Sequence, residues 1–150
     1  MNKMKIAVGS DHAGFELKLK VISYLKKKGY SVKDFGTYSQ QSCDYPFFAY
    51  KVAKAVALKR YLRGILICKT GIGNSIVANK VKGIRAALCY NILAARLSRL
   101  HNDANILVLG AEFVNIKVAK KIIDIWLNTD FEGGRHLRRI KQIERIEKYV

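Results

Sequence analysis

The chain has 150 residues and 17.0 kDa, the size of one ordinary domain; 50% of its residues are hydrophobic and only 1 is proline, which excludes a disordered or low-complexity polymer. Lys and Arg total 28 against 11 acidic residues, a formal net charge of +17, so partners drawn by long-range electrostatics are anionic: nucleic acid or small anionic substrates. No apolar run approaches the roughly 18 residues that span a bilayer, and the start "MNKMKIAVGSDH" runs straight into a strand pattern without a signal peptide, so the expected compartment is the cytosol.

In chain order the first strand is "KIAVG" (5–9), followed by the polar loop "GSDHAG" (9–14) and the amphipathic segment "ELKLKVISYLKKKG". A second strand, "SVKDF", covers 31–35, and a third, "GILIC" (64–68), leads into the loop "CKTGIGN" (68–74). The fourth and fifth are "IRAALC" (84–89) and "NILVLG" (105–110). A last helix, "RHLRRIKQIERIEKYV", repeats Leu137, Ile140, Ile143 and Ile146 in a narrow apolar stripe that must pack on something. Strands alternating with helices, about five of each, are the pattern of βαβ units and a parallel sheet covered on both faces, one domain over residues 1–150. Right-handed crossovers favour the doubly wound order 2-1-3-4-5, whose topological switch lies between strands 1 and 3. The two glycine-bearing loops 9–14 and 68–74 then converge on one crevice.

The glycines of the second loop complete neither a dinucleotide nor a nucleoside-triphosphate fingerprint, because Ile76 stands at the third glycine position and no Gly-Lys-Ser/Thr ending follows. What they offer is a nest of backbone N–H groups from Gly71 to Ser75, opening a helix near Asn74 and suited to a bound anion or to an oxyanion formed in reaction. Cys68 ends its strand where that nest begins; positive potential there is expected to lower the thiol pKa and make it a base or nucleophile, although strand-end cysteines are commonly inert packing. Asp11 and His12 at the mouth of strand 1 suit acid, base or anion-binding roles, and Asp11 equally suits a helix cap.

Cys43, Cys68 and Cys89 are odd in number and lack metal-ligand spacing, so they are expected as free thiols. His12, His101 and His136 are far apart in sequence with no HExxH or CxxC, so no metal site and no cofactor are expected. In "RLHNDAN" (99–105), His101 and Asn102 fall at the N-terminal edge of their own sheet, the wrong end for the crevice. Any part they take in chemistry is therefore expected in a neighbouring subunit's site, which makes the chain an oligomer. Arg135 and Arg139 are four apart and share a helical face, an arrangement that grips phosphate or is merely solvated.

The stretches "GSDHAGFELK", "DYPFFA", "GILICKTGIGNSIVANKVKGIRAA", "LSRLHNDANILVLG" and "EGGRH" together resemble the ribose-5-phosphate isomerase B family, which includes galactose-6-phosphate and allose-6-phosphate isomerases. The resemblance runs in order along nearly the whole chain. It implies a Rossmann-like three-layer α/β/α sandwich and a metal-independent aldose–ketose isomerase of the pentose phosphate pathway, a homodimer or homotetramer acting on a phosphorylated sugar. It further implies that Cys68 moves a proton between C2 and C1 through a cis-enediolate, while His101, with Asp11 and Thr70, assists ring opening. The backbone of Lys69, Thr70, Gly71, Ile72 and Gly73 would hold the enediolate oxygens, Asn102 and Tyr45 would line the sugar pocket, and His12, Arg135 and Arg139 would bind phosphate.

Two positions depart from the family pattern: Lys69 stands where glycine is common, and Glu112 where a phosphate-binding arginine often follows strand 5. A long side chain at the first would block the nest or turn to solvent, and a carboxylate at the second would repel a phosphate. A basic nucleic-acid-binding module built on the same scaffold is the alternative from another class, though no RNA-binding motif is present.

Overall fold

The computed structural model describes residues 3–150. Its elements are β1 (Lys5–Ser10), α1 (Phe15–Lys27), β2 (Ser31–Asp34), α2 (Tyr45–Ala57), β3 (Arg63–Cys68), α3 (Ile72–Asn79), β4 (Ala86–Leu88), α4 (Ile92–Asn102), β5 (Ile106–Gly110), α5 (Ile116–Leu127) and α6 (Arg135–Glu147). All strand pairs are parallel, and the sheet order is β2-β1-β3-β5-β4. The α/β class and the reversal between β1 and β3 agree with the sequence expectation. The order of the last two strands does not, and six helices are present against about five expected.

Burial explains the exchange. Ile106–Gly110 is buried at every position and so needs a neighbour on both edges and a helix on both faces. Ala86–Leu88 is only half-buried throughout and short, which suits an edge. Chain order alone does not carry that information.

Side-chain alternation divides the core in two. Ile6, Val8, Ile65, Ile67, Leu107 and Leu109 face one side, where α1, α4 and α5 supply Leu17, Val21, Leu25, Ala95, Ile122 and Trp126. Ala7, Leu66, Ile106 and Val108 face the other, against Ala49, Val52 and Val56 of α2 and Ala78 of α3. Helices whose connections run one way along the sheet thus share a face, as right-handed crossovers require. Asn91 and Asn115 begin α4 and α5 by accepting the N–H groups of Ala94 and Val118 at 2.8 and 2.9 Å, which satisfies donors that a helix start leaves open.

Two features fix the crevice end of β1. Lys18 in α1 is fully buried, with its ammonium 2.7 Å from Asp34 Oδ1 and donating to the carbonyl of Thr37; Asp34 Oδ1 also accepts from Gly36 N–H at 2.9 Å. A buried cation persists only with such compensation. It ties α1 to the loop that leaves β2, in a helix whose lysines otherwise read as a solvated face.

Gly14, the residue before α1, lies against the main chain of β3: a Cβ there would collide with the carbonyl of Ile67. We expect Gly14→Ala to lower unfolding free energy by about 2 kcal/mol or more, because backbone cannot yield as a side-chain tip can. Urea denaturation followed by circular dichroism measures it; an unchanged midpoint would contradict the close approach.

Candidate active site

Ser10 pairs with Ile67, so the loops leaving β1 and β3 emerge side by side at the C-terminal edge of the sheet. Asp11 is buried there, and its Oδ1 accepts the N–H of Gly14 at 3.0 Å. The carboxylate closes the turn before α1 but is not its cap: Gly14 is the N-cap, and no side chain caps the helix. It also stands near enough to the thiol of Cys68 to disfavour its ionisation.

Cys68 is 5% exposed and shares the sheet face of Leu66, beneath the 69–74 loop. Gly71 N–H donates to its Sγ at 3.2 Å. Gly71 has φ +86°, a left-handed conformation that turns the chain from strand to helix and suits glycine. The N–H groups of Asn74, Gly71 and Thr70 all favour the thiolate, yet burial outweighs them and the carboxylate of Asp11 adds to it, so the thiol pKa is raised from its ordinary value. That corrects the expectation of a lowered pKa: the donors are present as foreseen, but the strand end lies deeper than a loop-edge thiol would.

The loop around the sulfur is clamped. Thr70 Oγ1 accepts from Ile72 N–H at 3.2 Å, and the Thr70 carbonyl accepts from Tyr90 Oη–H at 2.9 Å. Ala111 and Glu112 donate their N–H groups to the carbonyls of Cys68 and Lys69, both at 2.9 Å, extending the β3–β5 ladder past the strands. Tyr45, at the start of α2, lies directly on Gly73, where a Cβ would be 2.5 Å from the ring. The side chains of Lys69 and Glu112 are exposed, so of the two outcomes foreseen for the lysine the structure has the solvent-facing one.

His12 is half-buried, with Nδ1 accepting the N–H of Cys43 at 3.2 Å. An accepting Nδ1 leaves the proton on Nε2, which makes that nitrogen a donor. Two buried groups at this end escaped the sequence reading: Ser10 Oγ and Asn74 Oδ1 have no hydrogen-bond partner among the described residues. Buried polar atoms left unpaired mark places where water or a ligand completes the set. Asn74 carried a signal, as the residue where the helix was expected to open; Ser10 carried none.

The remaining candidates lie elsewhere. Gly64 pairs with Ile106, so the segment entering β5, with His101 and Asn102 just before it, stands at the N-terminal edge of the sheet, while Cys68 ends β3 about 13 Å along the strand from Gly64. His101 stacks on His136 of α6, with ring centroids 4.2 Å apart and planes 12° from parallel. The buried Arg99 holds this corner: Nε donates to Thr129 O at 3.2 Å, and Nη1 donates to Asp103 Oδ1 at 2.8 Å and Ala104 O at 2.7 Å. Burial, then the charges of His101 and Arg135, hold His136 below the usual histidine range. Arg135 and Arg139 are exposed on the same helix, and Asn102 is exposed. One chain therefore assembles Asp11, Cys68, Thr70, Gly71, Ile72, Gly73 and Tyr45, with His12 on the neighbouring loop, and carries His101, Asn102, Arg135 and Arg139 at the opposite end.

The three thiols are free, as expected, and no helix among the described residues is long and apolar enough to cross a membrane. Residues 6–143 match a family model described as Ribose/Galactose Isomerase. Ribose-5-phosphate isomerase B of Escherichia coli (strain K12) is 49% identical over 144 residues, covering 96% of this chain and 97% of that one. Among solved structures, the ribose-5-phosphate isomerase B of Clostridium thermocellum is 55% identical with a TM-score of 0.96, over 97% of this chain and 99% of that one. The Mycoplasma genitalium ribose-5-phosphate isomerase B with bound ribulose-5-phosphate is 43% identical with a TM-score of 0.95, over 100% of both. Similarity at this level along the whole length, on the same sheet and loops, makes this chain a member of the Ribose/Galactose Isomerase family.

Proposed function

We propose that this protein interconverts ribose 5-phosphate and ribulose 5-phosphate, with Cys68 as the group that moves the proton. The observation that carries the reading is the thiol of Cys68 set against the N–H of Gly71 at the sheet's switch point, where open α/β proteins bind ligands. The family and the named activity of its relatives supply the substrate class.

In the opened aldose, the Cys68 thiolate takes the C2 proton. The electrons of that C–H bond form the C1=C2 bond, and the C1 carbonyl oxygen becomes the enediolate oxygen, received by the N–H groups of residues 69–73. The proton of the 2-hydroxyl passes to O1, the thiol returns its proton to C1, and C2 is left as the ketone. Aimed N–H donors in a water-poor site stabilise such an oxyanion by about 3 kcal/mol each, and a placed base contributes on the order of 10²- to 10⁴-fold. Tyr45 walls the pocket and Nε2–H of His12 faces the phosphate. His101 with Asp11 and Thr70 opens the ring, and Asn102, Arg135 and Arg139 complete the grip on the sugar phosphate.

Because His101, Asn102 and both arginines lie at the far end of the sheet, the complete site needs a second copy of the chain. Apolar residues support such pairing: Ile143 and Ile146 of α6 are 42% and 62% exposed beside a groove floored by Ile84, Ala86 and Ala104. An exposed apolar stripe on a terminal helix is what a subunit contact covers.

Cys68→Ala is expected to cut turnover of ribose 5-phosphate by about 100-fold or more with the fold retained; full turnover would reject the role of the thiol. Since burial holds the thiol up, its alkylation by iodoacetamide should be slow at neutral pH and accelerate about tenfold per unit through pH 9.0, the ordinary thiol value; a plateau below pH 8 would contradict that. Co-expressing Cys68→Ala with His101→Asn chains tests the shared site: each mixed dimer holds one intact site, so activity should recover to about a quarter of wild type. Isolated mixed dimers without activity would refute sharing.

A further inference from the structure

His101, Glu132 and His136 are scattered in sequence, but the fold gathers their ligand atoms within 4.8 Å of one another. His136 and Glu132 flank the start of α6, Nε2 to Oε2 being 4.0 Å, and His101 reaches in from the end of α4. The arrangement is held from outside the cluster. Glu132 N–H donates to Leu100 O at 3.1 Å, and Arg99 fastens Thr129 and Ala104 to the same corner. His136 itself is enclosed. It is 5% exposed, and its Nε2, turned toward the glutamate, is buried without a hydrogen-bond partner among the described residues. A buried imidazole nitrogen with an unused place, a second imidazole stacked beside it and a carboxylate able to swing in make a three-ligand set for a cation.

We propose that His101, Glu132 and His136 form a binding site for a borderline divalent cation, Zn²⁺ foremost, that withdraws His101 from catalysis when occupied. Two imidazoles and one carboxylate suit zinc, with a fourth position left to water. Tetrahedral coordination at about 2.0 Å per bond places ligand atoms about 3.3 Å apart, so a spread of 4.8 Å has to close by up to about 1.5 Å, and the two near-parallel rings have to fan apart so that their in-plane lone pairs converge. Glu132 is half exposed and His101 partly so, and both move toward the enclosed His136 by side-chain rotation. The neighbouring Arg135 and Arg139 oppose a cation, which sets the expected affinity in the micromolar class rather than the nanomolar one. The metal takes the lone pair on the His101 ring that opens the sugar under the proposed function. Inhibition therefore rests on that assignment, whereas binding does not.

The test is titration of the full-length protein with Co²⁺, whose visible absorption reports tetrahedral coordination, and competition by Zn²⁺. One Co²⁺ per chain is expected, displaced by Zn²⁺, with affinity weakened about 10-fold or more in Glu132→Gln and in His136→Asn. Glu132 is solvent-facing, so its variant should fold even if the His136 variant does not. In the turnover assay Glu132→Gln should keep the basal rate and lose most of the Zn²⁺ inhibition. Absence of saturable Co²⁺ binding, binding undiminished in Glu132→Gln, or a near-ultraviolet thiolate-to-metal band showing capture by a cysteine would each overturn the proposal. Were the protein inactive on ribose 5-phosphate, the Co²⁺ spectrum would still decide the metal site.

Discussion

Parallel pairing of β1 with β3 is the constraint on which the site depends. Once Ser10 lies opposite Ile67, the loops that follow must leave the sheet together, and Asp11 and Cys68 share one edge whatever the rest of the chain does. Backbone contact then sets their depth. Gly14 lets α1 close on the carbonyl of Ile67, and Gly110 lets the end of β5 close on Thr70, so the loop carrying the N–H groups is pressed between two neighbours. The thiol is positioned by main chain more than by side chains, which leaves little freedom for it to wander.

That positioning sets two electrostatic effects against each other. The N–H groups of Gly71, Thr70 and Asn74 stabilise negative charge at the sulfur, and the same closeness of packing removes the water that would stabilise it further. In the single chain burial wins. A thiol kept protonated at rest is protected from oxidation and becomes a base when donors and cations around it increase. The cations carried at the far end of the sheet, Arg135 and Arg139, are of the sign required. A partner copy bringing them to the crevice would shift the balance toward the thiolate as it supplies the phosphate grip.

The opposite corner is built with equal care but for a different purpose. Arg99, itself buried, donates to Asp103, Ala104 and Thr129, and so carries the turn before β5 and the approach to α6 together. Together with the Glu132 N–H bond to Leu100 O, that clamp sets the spacing of the His101–His136 stack. The basic character of the chain, +17 in all, follows from lysines and arginines spread over helices, and accords with an anionic substrate approaching a crevice.

Much of this could be read from the order of residues alone. Apolar runs of strand length, separated by helical patterns, identify the α/β class, and the loops "GSDHAG" and "CKTGIGN" mark the crevice because the switch between strands 1 and 3 is a local consequence of crossover handedness. The placement of His101 at the wrong end of its own sheet follows from the same rule. Three things were decided only in the folded molecule. The central place of β5 came from its need for cover on every side, the raised pKa of Cys68 from the depth at which the strand ends, and the meeting of His101 with His136 from the packing of α6 across α4. Each depends on contacts between segments distant in the chain, where periodicity is silent and burial decides.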